Sequence, residues 1–167
     1  ARLDEAAVPF GTIIIDAGWS RAGWWEPSTI LWPDLKGFIA RQHARGRRVL
    51  LWLGTWLYDG LPAAWCVHRD GNPICADPTN PDYRDYVTRQ VTRLIGADGF
   101  DADGFKIDQL AYAPTVYDSL FGPRFGAIHP RKASGDRPRL HGDGFGCELL
   151  HALQHTIYTS AKSAKPD

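Results

Sequence analysis

The 167-residue sequence has no methionine, only three cysteines and no excess of charge of either sign. Its 19 Lys+Arg side chains are balanced by 19 Asp+Glu. A nucleic-acid partner calls for a strongly basic face, and a neutral balance argues against one. No polybasic segment is present to hold an anionic membrane surface. No apolar run approaches the roughly 20 residues of a membrane-spanning helix. The opening residues, ARLDEAAVPF, lack the basic and apolar regions of a signal peptide. With no initiator methionine either, the expectation is a segment cut from a longer chain. Three cysteines leave one over from any pairing. Cys66 and Cys75 bracket the turn-like VHRDGNPI, and a hairpin could pair them. Reduced thiols suit the odd count at least as well.

What is present is an ordinary apolar content with seven tryptophans, in a chain long enough for one real core. GTIIIDAGW reads as a strand buried on both faces. PDLKGFIARQHARG has helix grammar, with Pro33 in the first turn, Leu35, Phe38 and Ile39 as the apolar stripe and Gly46 as the C-terminal stop. RRVLLWLGTW is a second buried strand, followed by a long aromatic loop that holds the turn RDGNP. Asn80 and Pro81 cap a second helix, whose buried stripe is Tyr83, Val87, Leu94 and Ile95. DGFKID is a third strand, also read as buried. After a Gly/Pro-rich stretch, CELLHALQHTIYTSAK is a third helix.

Strand and helix alternate, as in a parallel α/β sheet. The connections after strands are long and aromatic, and those after helices are short. That asymmetry belongs to a (β/α)8 barrel, which builds its active site after the strands. A whole barrel needs about 250 residues, so three β/α units make a partial TIM barrel. Residues 1–167 are then a fragment of one barrel domain. The alternative is an open doubly wound sheet, although no Gly-rich phosphate loop follows the first strand.

Strand side chains alternate, so Lys106 and Asp108 share a face opposite Phe105 and Ile107. Asp16 and Asp108 each end a strand, where barrels place catalytic groups. Trp52 shares a face with Gly54 and so can line the same mouth. Carboxylates and an ammonium group hydrogen-bond sugar hydroxyls, and an indole packs on the apolar face of a sugar ring. The structural alternative is an ion pair of Lys106 with Asp108 or Asp16. Trp52 and Trp19 are candidate sugar contacts that can equally be core, and Trp24, Trp25 and Trp56 could bind sugar or merely close their loops. Of the six histidines, His151 and His155 stand at i, i+4, without the glutamate of a zinc-protease helix. They read as a solvated helix face, and no metal or cofactor is called for.

IIIDAGW, WPDLKGFIARQHARGRRVLLWLGTW, VHRDGNPI, DPTNPDYRDYV and DGFKID occur in the order seen in retaining α-glycosidases. From Gly11 to Asp108 the chain resembles the α-glucosidase/α-xylosidase type (glycoside hydrolase family 31) and the related α-galactosidase type (family 36). The resemblance implies a (β/α)8 barrel in which these strands are the second to fourth. It makes Asp108 the nucleophile, with Asp16 and Lys106 as sugar contacts. α-Galactosidases often carry two adjacent acids before Gly-Trp, and here the second is Ala17. The substrate implied is an oligosaccharide or other α-glycoside, and the implied partner is the remainder of the barrel. The acid/base is expected outside the chain, with Asp143 the candidate within it. The alternatives are an eliminating glucan lyase, a non-catalytic carbohydrate-binding barrel and a metal-dependent barrel hydrolase.

Overall fold

The computed structural model describes residues 5–6, 9–21, 24–69, 71–110, 117–118, 131–132 and 147–166. Its centre is a parallel sheet of three strands: β1 (Thr12–Ile15), β4 (Arg48–Gly54) and β7 (Gly104–Asp108). Two short antiparallel pairs decorate it, β2 (Ser20–Arg21) with β3 (Glu26–Pro27) and β5 (Cys66–Arg69) with β6 (Asn72–Ala76). A third such pair joins β8 (Tyr117–Asp118) and β9 (Arg131–Lys132). The helices are α1 (Leu35–His43), α2 (Pro81–Ile95) and α3 (Cys147–Ala164).

The sheet order is β1-β4-β7, so consecutive strands are neighbours joined by helical crossovers. The parallel register pairs Ile15 with Leu51, and Leu51 with Phe105. Ile13, Ile15, Val49, Leu51, Leu53, Phe105 and Ile107 therefore share one face of the sheet. They join the core formed with Leu35 and Ile39 of α1, Val87, Val91 and Leu94 of α2, and Leu153 and Ile157 of α3. Full burial of each such aliphatic side chain contributes about 1.5–3 kcal/mol. The opposite face carries Ile14, Leu50, Trp52, Gly54, Lys106 and Asp108.

Only β4 is buried as expected of a central strand. β1 and β7 are the two edges of the sheet, and both are more open than their apolar sequences suggest. Ile14 is 49% exposed, and every residue of β7 is half-buried. A run of β-branched residues reports hydrophobicity, not whether a neighbouring strand covers its edge.

The helix termini follow local chemistry closely. Asn80 accepts hydrogen bonds from the backbone N–H groups of Asp82 (2.9 Å) and Tyr83 (3.2 Å), with Pro81 in the first helical position. At α1 the cap is Asp34, which accepts from the Gly37 N–H at 3.0 Å, so Pro33 precedes the helix instead of starting it. An aspartate satisfies a free N–H that proline, one residue earlier, cannot reach. Gly46 takes the left-handed φ of +70° after α1, and its N–H donates to His43.

The β5–β6 hairpin brings Cys66 and Cys75 near each other, but it sets Cys75 opposite Val67, and the two form no disulfide. Burial pushes the Cys66 thiol up to about 11, so it stays protonated at neutral pH. Among the described residues, no helix is long and apolar enough to cross a membrane.

Candidate functional site at the C-terminal ends of the strands

The same register that builds the core sets the polar face. Trp52 lies opposite Lys106, and Gly54 opposite Asp108, while Asp16 follows the last residue of β1. Residues far apart in the chain therefore meet at one end of the sheet. Lys106 Nζ donates to Asp16 Oδ2 at 2.7 Å and lies 3.6 Å from Asp108 Oδ2. Both ion pairs weighed from the sequence exist at once, as one triad of two carboxylates around an ammonium.

Asp108 is held at both oxygens. The Trp52 indole N–H donates to Oδ2 at 2.9 Å, and the Gln109 backbone N–H donates to Oδ1 at 2.7 Å. The Trp52 bond, then the Gln109 bond, then the Lys106 charge keep this carboxyl below the ordinary carboxylate range. Asp16 is also lowered, first by Lys106 and then by the Ala17 backbone N–H at 2.7 Å. Lys106 is raised, chiefly by its bond to Asp16. At neutral pH the triad holds two carboxylates and one ammonium.

These side chains are open to solvent. Asp108 is 46% exposed, Asp16 59% and Lys106 37%, so a ligand can reach all three. Trp52 is 8% exposed and spends its N–H on Asp108. Glycine at position 54 makes room for it. A Cβ there would come within 2.7 Å of the Trp52 ring tip and 3.0 Å of Gln109 Oε1.

A second layer fixes the strand ends. The Thr55 hydroxyl donates to the Asp108 carbonyl at 3.0 Å, and the Trp56 indole donates to the Gln109 carbonyl at 3.1 Å. Trp19 is 1% exposed, and its indole donates to the Trp52 carbonyl at 2.7 Å. Its place is beneath the site, holding the strand that carries Trp52. Trp25 and Trp56 are buried as well, at 2% and 1%, and close their loops onto the scaffold. Thr55 and Gln109 were not singled out from the sequence. The Thr55 hydroxyl meets a backbone carbonyl, and Gln109 meets Asp108 through its own backbone N–H, contacts that residue type does not advertise.

His151 and His155 are exposed on α3, with rings stacked 6.0 Å apart. Among the described residues, no group of three His, Cys, Asp or Glu could hold a metal ion. Asp143 lies outside the described residues.

No protein-family model and no curated protein matches the chain by sequence, whereas solved structures match it by fold. An α-xylosidase of glycoside hydrolase family 31 from a soil metagenome superposes with a TM-score of 0.63 at 18% identity, over 98% of this chain. The α-galactosidase TtGalA from Thermus thermophilus gives 0.64 at 20% identity over 97%. The cycloalternan-degrading enzyme from Trueperella pyogenes gives 0.58 at 20% over 98%. This chain spans only 25%, 34% and 27% of those three chains. The resemblance to family 31 and its α-galactosidase relatives thus extends to the fold.

Proposed function

We propose that this chain is the nucleophile-bearing part of a retaining α-glycosidase barrel, three β/α units long. The observation that carries the reading is the grip on Asp108. Its carboxylate is ionised, oriented through both oxygens and exposed, at the C-terminal end of a parallel strand. Barrel enzymes place their reacting groups there. The fold shared with family 31 and α-galactosidase structures supports the same assignment.

In this reading Asp108 attacks the anomeric carbon of a bound α-glycoside and displaces the aglycone. The second carboxyl group of such a pair stands about 5–5.5 Å away. It protonates the leaving oxygen, then deprotonates the water that hydrolyses the glycosyl-enzyme, and two inversions give retention. The family resemblance assigns that second group to the loop of a later barrel strand. Lys106 and Asp16 hold the sugar hydroxyls, as donor and acceptor respectively. Trp52 keeps Asp108 in its attacking form and shapes the pocket wall.

The test is labelling of the full-length protein with an activated fluorinated α-glycoside. Attachment at Asp108, absent in Asp108→Asn, is expected. Attachment elsewhere would remove the nucleophile assignment. Saccharide binding without any attachment would instead leave a carbohydrate-binding barrel.

A further inference from the structure

The residue after Asp108 breaks two rules. Gln109 has φ of +66°, a left-handed conformation uncommon for a residue other than glycine. Its side-chain Oε1 is buried with no hydrogen-bond partner among the described residues. Native structures rarely leave a buried acceptor unpaired, and such costs persist mainly at functional sites.

The backbone half of this has a visible use. The left-handed turn aims the Gln109 N–H at Asp108 Oδ1, and the Trp56 indole holds the Gln109 carbonyl. Nothing in that role needs the side chain, and glycine would adopt the turn more readily. The side chain is instead folded over Gly54 beside the Trp52 ring, within the wall of the site. The residue as a whole is half-buried, next in sequence to the exposed Asp108 carboxylate.

We propose that the Gln109 side-chain oxygen accepts a hydrogen bond from one hydroxyl of the bound saccharide, making Gln109 a specificity-determining contact beside the nucleophile. The inference rests on the glycosidase reading above. It adds a contact that neither the strand alternation nor the ion triad supplies. The partner must be a donor, because an amide oxygen only accepts. A sugar hydroxyl at that point is recognised, and a deoxy position is not.

The experiment uses the full-length protein with Gln109→Gly and Gln109→Met, assayed on an activated α-glycoside and its monodeoxy analogues. Gln109→Gly keeps the left-handed backbone and the N–H to Asp108. Gln109→Met keeps the side-chain length without the acceptor. All three forms should label at Asp108 with the fluorinated glycoside. Both variants should lose about 3–10-fold in kcat/KM on the parent substrate, the scale of one neutral hydrogen bond. The wild type should drop by a similar factor on one monodeoxy analogue, and the variants should show no further drop on it. Normal labelling with the same deoxy penalty in variant and wild type would overturn the contact. So would unchanged kcat/KM on the parent substrate. A wild type that fails to label at Asp108 would remove the underlying glycosidase reading, and this inference with it.

Discussion

The two ends of the same strands use the same residue types in opposite ways. At the C-terminal end, Asp16, Lys106 and Asp108 face solvent. At the N-terminal end of β7, Asp101 and Asp103 meet His43 from α1 and Lys165 from just beyond α3. Asp103 Oδ2 accepts from the Val49 N–H at 2.7 Å and stands 2.8 Å from His43 Nε2. Lys165 Nζ lies 2.7 Å from Asp101 Oδ1 and also donates to the Asp101 and Ala102 carbonyls. The exposures there are 20% to 35%, against 37% to 59% at the other end. The lower cluster ties helices to strand ends and uses up its bonding capacity on the protein itself. The upper cluster keeps donors and acceptors turned outward. An acidic residue at a strand terminus therefore says little until its backbone partners are known.

Substitutions at the two ends should separate these roles. The largest effect is expected of Asp108→Asn in the full-length protein, a loss of about 10⁴-fold or more in turnover, the scale of removing a nucleophile. Its thermal midpoint should hardly move, and a large drop would mean that Asp108 is structural. Lys106→Met should lower kcat/KM by about 10–100-fold through lost charge-assisted bonds to the substrate, with a rise in KM as the main component. Asp103→Ala should show the reverse pattern. It leaves the Val49 N–H without its partner and removes the contact to His43 Nε2, costing about 1–3 kcal/mol in denaturant unfolding. The chemistry at Asp108 should persist below the new transition.

The pH behaviour sharpens the contrast further. The Asp108 carboxyl is lowered mainly by the Trp52 N–H, so Trp52→Phe should move the acid limb of the kcat/KM profile to higher pH. An unmoved limb would show that Trp52 does not tune the nucleophile. For stability, lowered carboxyls contribute above their unfolded value of 3.8, and the contribution is lost as pH falls through the folded value. The raised Lys106 contributes below its unfolded value of 10.5, and that is lost as pH rises through the folded value. Because these groups are solvent-exposed, both contributions to unfolding should be small. Smallest of all, His151→Ala and His155→Ala on the exposed face of α3 should change stability by less than about 0.5 kcal/mol. A marked loss there would give that face a role.

The caps and periodicities were legible because they are local. Asn80 followed by Pro81 announces a helix start, since a side-chain oxygen and a missing N–H act within one turn. Lys106 and Asp108 were placed on one face by alternation alone. Pro33 stands two residues before the first helical residue, Leu35, because Asp34 takes the cap. Trp19 and Trp52 illustrate the limit. Both are tryptophans near strand ends, yet one is under the site and the other is in its wall. Only the packing of the loops on the strands distinguishes them.

Taken alone, the sequence determined the three strands of the central sheet and the three helices, and which two carboxylates and one lysine stand at strand ends. Side-chain direction along a strand depends on a count of two, and a cap depends on its nearest neighbours. The tertiary structure decided the rest. Parallel register across β1, β4 and β7 brought Lys106 onto Asp16, 90 residues earlier, and Trp52 onto Asp108, 56 residues later. It also left β1 and β7 as half-open edges and turned Gln109 left-handed beneath Trp56. These outcomes depend on which strands lie side by side, and strand pairing is a non-local choice that no single segment encodes.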